Sequence, residues 1–179
     1  MEFVAIDVET ANSKTSSICQ IGIAYYKDGL LADEWKSYIN PEEYFSPFNI
    51  SIHGINEAKV INSPILPDVN DQLRKYLDNR ITVCHTFFDR SAIRQASRKY
   101  GIAEPDCKWL DSSSVARRTW KECSKRGYGL DKLCKLLNYD FAHHDALEDA
   151  KAAGYIMLSA IKESGIDIDE WLKLTGMRY

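Results

Sequence analysis

The sequence predicts an α/β domain: one mixed sheet with helices on both of its faces. Three observations carry that expectation. FVAID (3–7) and ITVCH (81–85) are short, apolar and partly β-branched, the composition of strands buried on both faces. Two further strand-like segments flank an Asp28-Gly29 pair, a strong hairpin signal. From residue 68 onward, helix-period and strand-like segments alternate.

In chain order, FVAID is the first strand, and ICQIGIAYY (18–26) with LLADEWKSYIN (30–40) forms the hairpin. Pro41, Pro47, Pro64 and Pro67 punctuate an irregular region that holds SIHGINEA (51–58). A helix over 68–78 follows from Val69, Leu73, Tyr76 and Leu77, which share one side at helical spacing. ITVCH leads into a helix from about Asp89 to Tyr100, stopped by Gly101. KWLDS (108–112) is a short strand. Helices near 113–121 and 130–137 then bracket the loop KECSKRGYG. The last long helix is expected over 146–164, ended by Gly165, which makes 1–165 one domain and 166–179 a short helical tail.

The 179 residues, 45% of them hydrophobic, suffice for such a domain with a full core. No apolar run approaches the roughly 18 residues of a membrane span. MEFVAIDVET lacks the basic and apolar regions of a secretory signal. The five cysteines, Cys19, Cys84, Cys107, Cys123 and Cys134, are odd in number and never spaced as CxxC. That argues against a disulfide framework or zinc ribbon, and for a reducing, cytoplasmic setting. With a net charge of −3, an anionic partner must be met by a local basic patch.

Four acids stand where acids are costly. Asp7 and Glu9 end the first strand two residues apart, so an extended chain points both to one face. Asp89 suits a helix N-cap, yet it also shares the apolar stripe of Ala92, Ile93, Ala96 and Tyr100, opposite Arg90, Arg94 and Arg98. Asp149 falls on the inward face with Ala146, Ala150, Ala153, Ile156, Met157 and Ala160, whereas Glu148 faces out with Lys151. Asp145 at the N-cap with Glu148 three residues on reads as an acidic capping box. Four converging carboxylates without matching inward cations need compensation. Hard oxygen donors suit Mg²⁺ or Mn²⁺, and two such ions would serve a phosphodiester displacement.

The stretch FAHHDALEDA (141–150) also offers two histidines. With Asp145 as N-cap, His144 and Asp149 occupy the two positions that meet in a hydrophobic staple. His144 is thereby the candidate general base, and His143 is expected to point elsewhere. His85, at the end of ITVCH, is expected to support the turn at Asp89.

Together these residues resemble the DEDDh branch of the DnaQ-like 3′–5′ exonucleases, the type carried by the DNA polymerase III epsilon subunit. IDVET matches the first motif, VCHTFFD the second, GYGLDKLCKLL the segment before the last, and HHDALEDA the third, His-x-Ala-x-x-Asp-Ala. The resemblance implies an RNase H-like mixed five-stranded sheet flanked by helices on both faces. It implies metal ligands at Asp7, Glu9, Asp89 and Asp149, a general base at His144, and His53 of SIHGI lining the site. Thr86 stands where many members have asparagine.

The expected reaction is metal-assisted hydrolysis of the terminal phosphodiester of a single-stranded 3′ end, DNA rather than RNA, releasing nucleoside 5′-monophosphates. An RNase T-like or oligoribonuclease-like exoribonuclease is the near alternative, and a non-catalytic nucleic-acid-binding or polymerase accessory module the distant one. A DNA polymerase is a candidate partner. Thr10 offers a contact to the terminal sugar. Of the adjacent aromatics, Phe88 is expected in the core and Phe87 free to stack on a base. ARRTWKECSKRGYG (116–129) carries Arg117 and Arg118 among five basic residues with Trp120 and Tyr128, a composition that suits a single strand.

Overall fold

The computed structural model describes residues 1–125 and 127–175. Strands β1 (Glu2–Thr10), β2 (Ile18–Lys27), β3 (Leu30–Tyr38), β4 (Ile81–Cys84) and β5 (Lys108–Asp111) form one sheet in the order β3-β2-β1-β4-β5. β1, β2 and β3 run antiparallel, and β4 and β5 run parallel to β1. The β2–β3 turn is the expected two-residue one: Asp28 and Gly29 have φ of 52° and 81°, as a type I′ turn requires.

Alternation along β1 decides what lies on each face. Phe3 and Ala5 pack under α5 (Ser112–Thr119), α6 (Leu130–Leu136), α7 (Ala146–Ser164) and α8 (Ile168–Thr175). Val4, Ile6 and Val8 pack under α3 (Leu66–Leu77) and α4 (Phe88–Tyr100). By the same alternation, Asp7 and Glu9 emerge on the α7 side. Ile168 and Trp171 of the tail are 3% and 2% exposed and join that face's core. Residues 176–179 of the expected tail lie outside the described residues.

The proline-rich region contains two short helices, α1 (Pro47–His53) and α2 (Glu57–Val60), and the loop after α5 holds a 3₁₀ turn over Lys121–Lys125. Among the described residues, no helix is long and apolar enough to cross a membrane. All five cysteines are buried thiols, none of them in a disulfide.

Helix α7 reaches the site because β2 lets its first turn come close. A Cβ on Gly22 would overlap the Ala146 carbonyl and the Leu147 nitrogen. Buried Gln20 fixes the approach, its Oε1 accepting from the Ala146 N–H at 2.9 Å. Asp145 caps the helix, its Oδ1 accepting from Leu147 and Glu148 N–H. The expected reciprocal bond from Glu148 is replaced: its carboxylate pairs with Lys151 Nζ at 3.1 Å, one turn on.

Candidate active site

Four of the five predicted catalytic residues are carboxylates, and the fold gathers them at the C-terminal end of β1. One oxygen each from Asp7, Glu9 and Asp149 lies within 4.8 Å of the others. Asp7 and Glu9 come from β1, where a register shift between Glu9 and Thr10 distorts the strand end. Asp149 comes from the first turn of α7 and is 4% exposed.

Asp89 enters from the other side of the sheet. The β1–β4 ladder pairs only Val4 with Thr82 and Ala5 with Val83. Farther along β1, the Val8 N–H donates to Asp89 Oδ1 at 3.0 Å. Helix α4 starts at Phe88, so Asp89 is not the N-cap; its buried side chain turns inward, as the apolar stripe implied.

The carboxylates are short of positive charge. Burial, then Asp89, Asp149 and Glu9, push Asp7 well above the usual carboxylate range. Glu9 is pushed up to about 7 by burial and by Asp149 and Asp145. Burial also raises Asp89 and Asp149, although the Val8 N–H and the neighbouring His143, respectively, oppose the shift. An all-oxygen donor set with raised proton affinity fits a hard divalent cation.

The histidine geometry departs from expectation. His144 has a left-handed φ of 69°. In that turn it is the backbone N–H of His144 that reaches Asp149 Oδ2, at 3.0 Å. The ring that meets the carboxylate is that of His143, with Nδ1 3.0 Å from Asp149 Oδ1, so His143 does not point elsewhere. The two rings stack with centroids 4.0 Å apart and 12° between planes. Burial, and then His143, lower the pKa of His144, which favours its neutral form.

Several flanking residues do different work from that expected. His85 does not support Asp89: its Nδ1 bonds Ser112 Oγ and its Nε2 the Tyr128 carbonyl, both at 2.9 Å, tying β4 to α5 and the following loop. With both ring nitrogens engaged inside the protein, it offers none to a substrate. His53 accepts the Ile55 N–H at Nδ1 and donates from Nε2 to the Thr10 carbonyl. Asn49 Nδ2 donates to the same carbonyl at 2.8 Å, so Thr10 and His53 brace α1 against the end of β1.

The aromatic pair is reversed. Because the helix begins one residue earlier than expected, Phe88 is 43% exposed at its first position. Phe87 packs partly into the core, with the Arg90 guanidinium 6.0 Å from its ring. Arg117 and Arg118 are both exposed, but Arg117 also bonds Ser113 Oγ and lies over Tyr128, 5.4 Å from its centroid. Arg126 of the same basic stretch lies outside the described residues.

Sequence reasoning passed over Asp111. It ends β5 and caps α5, accepting from Thr86 and Ser113 N–H and from the Ser113 and Ser114 hydroxyls. Burial alone would raise its pKa, but those donors hold it below the usual carboxylate range. The signal was available in D-S-S-S before a helical segment. Asp111 also orients Thr86, the position that departs from the family pattern.

Known proteins share the sequence pattern and the fold of this chain. The Exonuclease family model matches residues 4–157. A PolC-type DNA polymerase III of Caldanaerobacter subterraneus is 29% identical over 172 residues, covering 92% of this chain and 12% of that protein. The 3′-5′ exonuclease DinG of Bacillus subtilis is 29% identical over 167 residues, 90% of this chain and 18% of its own length. The chain thus spans less than a fifth of either relative. A solved structure of exonuclease X with 5′-overhanging duplex DNA superposes with a TM-score of 0.80 at 24% identity, covering 97% of this chain and 99% of the other. The nuclease domain of 3′hExo, a DEDDh family member bound to rAMP, gives 0.78 at 17% identity, covering 90% and 92%. With its family model matched from the first strand through the third motif, and with their RNase H-like fold, the chain belongs to the Exonuclease family of DnaQ-like 3′–5′ exonucleases.

Proposed function

We propose that this chain removes nucleotides one at a time from the 3′ end of single-stranded DNA, releasing nucleoside 5′-monophosphates. The observation that carries the proposal is the convergence of Asp7, Glu9 and Asp149 oxygens within 4.8 Å, with Asp89 bonded to the same strand end. Two divalent cations, Mg²⁺ or Mn²⁺, are the implied cofactors. Asp7, Glu9 and Asp149 would hold one, and Asp7 with Asp89 the other. When bound, they supply Lewis-acid stabilisation of the attacking and leaving oxygens.

The chain's own residues supply the rest. Neutral His144 takes the proton of the attacking water, since it stands exposed beside Asp149. Exposed Phe88 presents a ring next to Asp89 on which the terminal base stacks. Thr10, whose carbonyl holds His53, offers its hydroxyl to the terminal sugar, while His53, with both ring nitrogens engaged, shapes that side of the site. Arg118, with Arg117 beside it, meets the strand's phosphates. The likeness to polymerase III relatives supports a DNA polymerase as partner, and five buried cysteines kept as thiols support a cytoplasmic setting.

The test uses 3′-labelled and 5′-labelled DNA and RNA strands with Mg²⁺, with Mn²⁺ and with EDTA. The proposal expects label released at once from 3′-labelled DNA, a shrinking ladder from 5′-labelled DNA, and neither in EDTA. Preference for RNA would turn the assignment to an exoribonuclease, a reading supported by the rAMP-bound structural neighbour. Binding without cleavage under every condition would leave an accessory module.

A further inference from the structure

We infer that His143, His144 and Asp149 form an inhibitory site for Zn²⁺ that overlaps the carboxylate centre at its edge. One ligand atom from each of the three lies within 4.8 Å of the others. The proposed reaction uses one histidine, and the His-x-Ala-x-x-Asp pattern accounts for His144 alone. His143 is left over, yet it is not idle in space.

Three features make this a metal site rather than a surface coincidence. His143 Nδ1 and Asp149 Oδ1 are already 3.0 Å apart, and a tetrahedral zinc ion with bonds of about 2.0–2.2 Å separates adjacent ligand atoms by about 3.3 Å. Neighbouring side chains on extended backbone diverge, but the left-handed turn at His144 brings both imidazoles to one side, stacked at 4.0 Å. Both rings are exposed, so an ion can enter and the His144 ring can rotate its nitrogen the remaining distance. Lastly, the chemistry differs from that next door. Two imidazoles and one carboxylate select a borderline ion such as Zn²⁺, whereas Asp7, Glu9 and Asp149 offer oxygens alone.

Asp149 belongs to both clusters, so the two kinds of ion compete. Zinc held by His143 and His144 occupies the nitrogen that would take the proton of water and draws Asp149 from its partners on β1. Inhibition therefore rests on the reaction proposed above; zinc binding itself does not.

The test is calorimetric titration of Zn²⁺ into the chain in excess Mg²⁺, comparing the unaltered protein, His143→Ala, His143→Gln and Asp7→Asn. Circular dichroism checks that each is folded. We expect one zinc ion per chain, at least tenfold weaker binding in both His143 variants, and little change in Asp7→Asn. Co²⁺ in place of Zn²⁺ should give visible absorption that the His143 variants lose. Equal zinc affinity with and without His143, or affinity lost in Asp7→Asn alone, would overturn the site. In a parallel assay of Mg²⁺-supported DNA hydrolysis, the zinc concentration for half-inhibition should rise in His143→Gln by the same factor as the affinity falls. If no hydrolysis is seen at all, the functional reading fails while the zinc titration still judges the site.

Discussion

The backbone N–H of Val8 donates to Asp89 Oδ1 across 81 residues of sequence, at 3.0 Å. That one bond fastens the start of α4 to β1 between the two acids of the first motif. It also gives Asp89 two duties that substitution can separate. Asp89→Ala leaves the buried Val8 N–H unpaired, at a cost of about 1–3 kcal/mol. Asp89→Asn keeps an oxygen for it and removes a carboxylate that burial disfavours. In EDTA, the expected order of Tm is therefore Asn above Ala, with both variants nearly inactive when Mg²⁺ is added. An Asn variant less stable than the Ala variant would refute the dual role.

The shortage of positive charge makes metal-free stability depend on pH. A carboxyl raised in the native state binds its proton more tightly there than in the unfolded chain. Its favourable contribution is present below the ordinary value, 4.5 for Glu9, and is lost as pH rises through the folded value, about 7. Asp7, Asp89 and Asp149 shift in the same direction. In EDTA, Tm should fall between about pH 5 and about pH 8, and Mg²⁺ should raise it more at the upper end. Thermal scans at both ends, with and without Mg²⁺, check this; a Tm that climbs with pH in EDTA would contradict it.

Gly22 is where packing and chemistry meet. Its missing side chain admits the Ala146–Leu147 backbone, and thereby sets how far Asp149 reaches toward Asp7. Because the obstacle to a Cβ is backbone, Gly22→Ala should cost roughly 3 kcal/mol or more and push the first turn of α7 outward. Activity should fall further than stability explains at temperatures where the variant is still folded. Full activity in a folded Gly22→Ala protein would show that the approach of α7 is not limiting.

The acids were legible in the sequence because strand and helix periodicities place a residue on a face before any contact is known. Asp7 and Glu9 follow from period two, and Asp149 from the alanine stripe of α7. What periodicity lacks is the conformation of single residues at element ends. Phe87 and Phe88 exchanged roles because α4 begins at Phe88, which sets that ring about 100° around the axis from the inward-facing Asp89. His143 reached Asp149 because His144 adopts positive φ, which no pattern of polarity announces. His85 looked inward to Asp89, but its partners, Ser112 and Tyr128, lie 27 and 43 residues away and are set by how β5 and the next loop pack.

The two histidines of the third motif should separate by kinetics. His144→Ala removes the proposed base and should lower kcat by about 10²–10⁴-fold with little change in KM. His143→Ala removes one hydrogen bond to Asp149, whose carboxylate keeps the His144 N–H. Its loss in kcat should be far smaller. A His143→Ala defect equal to that of His144→Ala would move the base assignment to the ring that touches Asp149.

Arg117 and Arg118 are neighbours in sequence but differ in what else they hold. Among the described residues, Arg118 Nη1 makes only a long 3.5 Å bond to the Ser114 carbonyl, whereas Arg117 bonds Ser113 Oγ at 2.8 Å and covers Tyr128. Ser113 in turn bonds Asp111, which orients Thr86, so Arg117 connects to the second motif through side chains. For a single strand, each phosphate neutralised contributes a slope of about −0.7 to log K against log salt. Arg118→Ala should flatten that slope by about this amount and leave kcat at saturating substrate nearly unchanged. Arg117→Ala should flatten it similarly but also lower Tm and kcat, because the Tyr128 loop and the Ser113–Asp111 contacts loosen together. Fluorescence anisotropy with labelled single strands in Ca²⁺, at several salt concentrations, measures the slopes. Identical behaviour of the two variants in stability would argue that the Ser113 and Tyr128 contacts carry no weight.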